Sequence, residues 1–85
     1  MILVDEAMWP WRGERWAHLV SDAGFAELHD FAERIGKRRA GFQGDHYDVT
    51  EDERRRALGA GATSVPAREL LARLRAAGLR RRGGL

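Results

Sequence analysis

Four ionisable side chains of this 85-residue chain stand at spacings that could build a reactive site: His18, Asp22, His46 and Asp48. Imidazole nitrogen and carboxylate oxygen are donors that suit Zn, Mn, Fe or Mg, the choice depending on geometry. A divalent metal held by them would activate water for hydrolysis, and without it the same groups would move protons. In the run His46-Tyr47-Asp48-Val49, strand alternation puts His46 and Asp48 on one face, about 7 Å apart. These two are the expected metal ligands, and His18 and Asp22 complete the expected catalytic set. No compact metal motif such as His-Glu-x-x-His is present, so structural roles compete. Asp22 can cap a helix, Asp48 can cap or receive an arginine, and His18 can be a partnered strand histidine.

A second group precedes the first histidine. Trp9, Trp11, Arg12, Arg15 and Trp16 place three indoles and two guanidiniums within eight residues. Trp9, Trp11, Arg12 and Trp16 are the expected ligand-binding residues, since stacking a base on an aromatic ring is worth about 1–3 kcal/mol. A guanidinium beside them can clamp a phosphate through parallel hydrogen bonds. The competing role is core closure, because a small domain needs large aromatic side chains. His29 borders an apolar helical stripe and reads as a core-edge residue donating to a carbonyl. Asp5 is expected to pair with Arg12 or Arg15.

Net charge is +2, distributed unevenly. Residues 1–50 hold six Lys/Arg against nine Asp/Glu, or −3, and residues 51–85 hold nine Arg against four acids, or +5. Arg54-Arg55-Arg56, Arg68, Arg73, Arg75 and Arg80-Arg81-Arg82 could bind nucleic-acid phosphates with marked salt sensitivity. A solvated basic surface is the commoner role of such residues. There is no helix-turn-helix, zinc-finger or RNP signature. Neither of the two serines, Ser21 and Ser64, sits in a nucleophile elbow, and no Walker or Rossmann glycine loop appears. Cysteine is absent, which removes disulfides, thiolate metal sites and a thiol nucleophile.

The elements that must position these groups follow from periodicity. Met1–Val4 is a short apolar strand, and Glu6–Glu14, with Pro10 and Gly13, reads as a loop. Trp16–Ser21 alternates as a second strand, with Trp16, His18 and Val20 on one face and Ala17, Leu19 and Ser21 on the other. A helix capped at Ser21, Asp22 or Gly24 runs to about Ile35 on the stripe Phe25, Leu28, Ala32 and Ile35, and Gly36 ends it. A polar loop over residues 37–45 leads to a third strand at His46–Val49. Thr50 and Glu53 have capping-box spacing and open a second helix through Leu58. Thr63–Val65 is a fourth strand, and Pro66 begins a third helix on Ala67, Leu70, Leu71 and Leu74.

The order ββαβαβα predicts an α/β domain: three helices on a three- to four-stranded, mostly parallel or mixed, sheet. The strand–helix–strand units favour parallel pairing of the second and third strands. Ser21, Asp22 and Asp48 would then share the carboxyl-terminal sheet edge, where open α/β sheets bind ligands. Residues 1–79 form one domain and 80–85 a basic, flexible tail. No run is long and apolar enough to span a bilayer, and Asp5 comes too early for a signal peptide. A cytoplasmic setting with no membrane partner is expected.

Trp9-Pro10, Gly13, Trp16, His18-Leu19-Val20-Ser21-Asp22, Glu27-Leu28-His29, Gly36, His46-Tyr47-Asp48-Val49, Gly61-Ala62, Val65 and Arg68-Glu69-Leu70 occur here in order. With these motifs the chain resembles the bacterial and phage family called Domain of Unknown Function 4031, from Met1 to about Leu79. The resemblance implies a small cytoplasmic domain and assigns no activity. Two functions are expected from the residues themselves. One is a metal-assisted site acting on nucleotide or nucleic-acid phosphates. The other is a non-catalytic accessory module that binds nucleic acid or protein through its arginines and Trp loop.

Overall fold

A computed structural model describes all of residues 1–85. Five strands and three helices follow one another as β1 (Ile2–Val4), β2 (Trp9–Trp11), β3 (Glu14–Ser21), α1 (Phe25–Arg34), β4 (Tyr47–Thr50), α2 (Glu51–Gly59), β5 (Thr63–Ser64) and α3 (Ala67–Ala76). A 3-10 turn at Arg39–Gly41 lies in the connection before β4. The long strand β3 organises the sheet. Its C-terminal half pairs antiparallel with β1 and its N-terminal half with β2. Antiparallel β4 lies along its other side, and β5 extends the sheet beyond β1 in parallel.

Alternation along β3 divides the core. Ala17 and Leu19, with Ile2, Val4, Tyr47 and Val49, meet Leu28, Phe31, Ala32 and Ile35 of the α1 segment and Ala57 of α2. On the other face Leu3 and Val20 pack against Val65, Leu70 and Leu74, so α3 covers that face near the β1 end. The same face continues through His18 and Trp16 and their register partners Asp48, Thr50 and Trp9. Its residues there are only partly buried, and no helix covers them.

The ends of elements follow local chemistry. Gly24 holds the N-cap position of α1, while Ser21 Oγ accepts from the N–H groups of Ala23 and Gly24 and donates to Glu27. Thr50 and Glu53 form the expected capping box: Glu53 N–H donates to Thr50 Oγ1 at 3.2 Å, and Thr50 N–H to Glu53 Oε1 at 2.9 Å. That box turns the chain from β4 directly into α2.

The α/β class and mixed sheet agree with expectation, and two details differ. The second and third expected strands, β3 and β4, run antiparallel, with His18 opposite Asp48. The connection through α1 and the 3-10 turn returns the chain along β3 instead of crossing over the sheet. The segment read as a loop contains β2, closed onto β3 by a two-residue turn in which Arg12 (φ 52°) and Gly13 (φ 76°) are both left-handed. Such a turn matches the twist of a tight hairpin. Pro10 is tolerated because β2 is an edge strand. Finally, the residues after α3 turn back: the Arg81 and Leu85 N–H groups donate to Asp45. No helix is long and apolar enough to cross a membrane.

Candidate metal centre

Antiparallel pairing of β3 with β4 sets His18 directly across from Asp48, and His46 precedes β4 on the same face. One ligand atom from each of these three residues lies within 4.8 Å of the other two. The His18 and His46 rings meet edge to face with centroids 5.3 Å apart. This is a site on a sheet face, not at a strand edge. Five surface clefts, including one of about 590 Å³ beside Met1 and Phe31, are lined by other residues.

Each imidazole is held at Nδ1 by its own buried aspartate. His18 Nδ1 lies 2.7 Å from Asp5 Oδ2, and His46 Nδ1 lies 2.9 Å from Asp45 Oδ1. Asp5 does more than orient a ring. Its N–H donates to the His18 carbonyl, and its Oδ1 accepts the His18 N–H at 2.6 Å, where a strand carbonyl would otherwise sit. The freed Asp5 carbonyl accepts from Arg54 Nε at 2.7 Å. A ladder position is thereby exchanged for a carboxylate fixed under His18. Trp9 stacks on a face of that ring, 4.6 Å between centroids.

With both Nδ1 atoms engaged, the two Nε2 atoms are left for the site. His46 Nε2 lies 3.1 Å from Asp48 Oδ1, an ionic contact whose angles fall short of a hydrogen bond, so that buried oxygen has no donor. Gln43 Nε2 holds the other oxygen, Oδ2, at 2.5 Å. Burial of His46 opposes its protonation, but Asp48 and Asp45 outweigh that and raise its pKa above the ordinary imidazole value. Burial likewise works against ionisation of Asp48, and His46, then Gln43 and His18, bring its pKa below the ordinary carboxylate value. The pocket between these groups therefore favours a positive charge.

Two imidazole nitrogens and one carboxylate oxygen, with further positions open, suit a first-row divalent cation. Carboxylates on the far ring nitrogens are the usual support of metal-binding histidines. The orphaned Asp48 oxygen fits the same role, since a buried acceptor without a partner is costly.

Not every expected site residue joins the cluster. Asp22 lies beyond the far end of β3, where it pairs with the Met1 ammonium at 3.0 Å and Arg73 at 3.4 Å. Trp16 is partly buried, and its Nε1 donates to the Trp11 carbonyl at 2.9 Å. Trp11 is exposed at the hairpin tip, with the Arg12 guanidinium 4.5 Å over its ring. His29 meets the Tyr47 hydroxyl at 2.7 Å, not a carbonyl. Asp5 pairs with His18 and with neither Arg12 nor Arg15; Arg15 instead approaches Glu51 at 3.7 Å. Sequence reasoning missed Asp5 and Asp45 as supports. The adjacency Asp45-His46 was one signal, but Asp5 is thirteen residues from His18 and no local pattern links them.

The family model described as "Protein of unknown function (DUF4031)" matches residues 2–77. The chain belongs to that family. No curated protein and no solved structure matches it. In this DUF4031 chain the match spans every strand and helix, and with them His18, His46, Asp48, Asp5 and Asp45.

Proposed function

We propose that this DUF4031 chain binds a divalent cation through His18 Nε2, His46 Nε2 and Asp48 Oδ1, and acts hydrolytically on nucleotide or single-stranded nucleic-acid phosphates. The observation that carries this reading is the convergence of one ligand atom from each of His18, His46 and Asp48, with each ring held at Nδ1 by a buried aspartate. Such a cation would polarise a phosphoryl oxygen and lower the pKa of water. In this reading Asp5 and Asp45 engage the Nδ1 atoms and leave each Nε2 to serve as the ligand, and Gln43 fixes the Asp48 carboxylate.

Substrate contacts are assigned along the uncovered sheet face. Trp11 pairs with Glu14, four residues before His18 on β3, so the hairpin tip lies about 13 Å along the strand from the centre. There Trp11 offers an exposed ring for a base, and Arg12, which makes no ion pair, offers a guanidinium for a phosphate. Trp9 and Trp16 form the floor between tip and centre, and Trp9 also supports His18. Asp22 takes no part in this reading.

Calorimetry with Zn²⁺, Mn²⁺ and Mg²⁺, followed by hydrolysis assays on nucleotides and single-stranded oligonucleotides, tests it. One ion should bind per chain, and His46→Ala and Asp48→Asn should abolish both binding and turnover. Wild-type protein that binds none of these metals would sink the reading. The exposed Trp11–Arg12 pair also favours a second function, a module that binds without turnover. It predicts oligonucleotide binding that is lost in Arg12→Ala and unchanged in Asp48→Asn.

A further inference from the structure

Asp45 is fully buried, so its carboxylate must find partners inside the protein. His46 Nδ1 is one. The others come from beyond α3: Arg81 N–H donates to Oδ2 at 3.0 Å, Leu85 N–H donates to Oδ1 at 3.0 Å, and the Arg80 guanidinium lies 3.7 Å from Oδ2. The approach is as close as glycine permits. A Cβ at Gly84 would overlap the Asp45 carboxylate, and Gly84 also packs against Gly44. Leu79 and Leu85 flank this segment and pack on the Leu3, Val20, Val65, Leu70 and Leu74 cluster.

From this arrangement we infer that Asp45 is a positioning residue of the metal centre and that residues 80–85 are the latch that holds it. The inference rests on reading His18, His46 and Asp48 as that centre. Oδ1 accepts from both Leu85 N–H and the His46 ring, so the oxygen that fixes His46 is itself fixed by the latch. If the latch lifts, Asp45 loses both backbone donors and turns toward water. His46 then keeps its place before β4 but loses the partner that aims Nε2. Coupling runs both ways by linkage: a cation on Nε2 makes the Nδ1 proton a stronger donor to Asp45, which favours the seated latch.

The test uses Co²⁺ as both ligand and spectroscopic probe, in the full chain. Wild type, Asp45→Asn, Gly84→Ala and the control Arg75→Ala, an exposed arginine of α3 outside the latch, are titrated by calorimetry and by visible absorption, with thermal melts of the metal-free proteins to verify folding. Loss of an outer-shell partner costs about 10–100-fold in metal affinity. Gly84→Ala and Asp45→Asn should each show a loss in that range with an altered Co²⁺ spectrum, while Arg75→Ala matches wild type. A second measurement needs no variant: saturating Zn²⁺ should slow hydrogen exchange at the Arg81 and Leu85 amides at least tenfold. Wild-type binding that survives Gly84→Ala with the same affinity and spectrum, together with unchanged exchange at Arg81 and Leu85, overturns the latch and leaves the metal centre intact. A wild-type chain that binds no Co²⁺ overturns both.

Discussion

At the scale of single residues, the site is built from side chains whose second atom is already committed. For the proposed metal site, His18 and His46 would serve as ligands because Asp5 and Asp45 occupy their Nδ1 positions, leaving one nitrogen each. Arg12 shows a comparable commitment in its backbone. A left-handed conformation costs a non-glycine residue roughly 1–2 kcal/mol, and here it places a guanidinium over exposed Trp11. Arg12→Gly should therefore leave stability unchanged or raise it by up to about 1 kcal/mol, while weakening nucleotide binding, as read by denaturant unfolding and Trp fluorescence titration. A clear loss of stability would show that the arginine serves the hairpin and not a ligand. His29 gives a pH dependence. Burial, and then Arg39, hold its pKa below the ordinary imidazole value, with Asp30 opposing. Its stabilising contribution is thus complete above about pH 6.5, the unfolded value, and is lost as pH falls from there toward the folded pKa. Thermal melts of wild type and His29→Gln between pH 7.5 and 5.5 should show the steeper decline in wild type, and equal slopes would remove this role.

At the scale of elements, one junction sets much of the geometry. β4 ends at Thr50 and α2 starts at Glu51, so Asp48 is positioned by a strand whose end is locked by a helix cap. Lys37 reinforces the junction, donating to the same Glu53 oxygen at 3.1 Å. Thr50→Ala removes the cap acceptor and should cost about 1 kcal/mol, in the range found for such caps, measurable by urea unfolding. Because Thr50 also pairs with Trp16, the lost stability should be accompanied by a change in Trp fluorescence. An unchanged midpoint would mean the box adds nothing beyond β4 packing. This junction was legible in the sequence because a capping box is local. The β2–β3 hairpin was not, since Trp-Pro-Trp resembles a loop until an edge strand accommodates the proline.

Across the whole molecule, folding brings a few arginines of the basic half onto groups of the acidic half. Arg73 reaches Asp22, Arg80 reaches Asp45, and Arg54 binds the Asp5 carbonyl. Arg54, Arg55, Arg56 and Arg73 thus have partners, while Arg12, Arg38, Arg39, Arg68, Arg75 and Arg82 make no ion pair. Any nucleic-acid binding should carry the salt dependence of those free guanidiniums. For two phosphates neutralised on a single strand, raising salt from 50 to 200 mM should weaken binding about sevenfold. Fluorescence anisotropy with a short labelled oligonucleotide checks this, and salt-independent binding would assign the affinity to stacking or metal alone.

By itself the sequence determined the α/β class, the three helices and their stops, the two alternating faces of the second expected strand, and the placing of His46 with Asp48 on one face. All of these depend on periodicity or on contacts a few residues long. Strand direction decided the rest. Antiparallel β3 and β4 set His18 across from Asp48 and leave Asp22 beyond the far end of β3, an arrangement that no local signal specifies. Asp5 and residues 80–85 arrive from far along the chain, and they arrive because buried carboxylates and ring nitrogens must be satisfied wherever the fold leaves them.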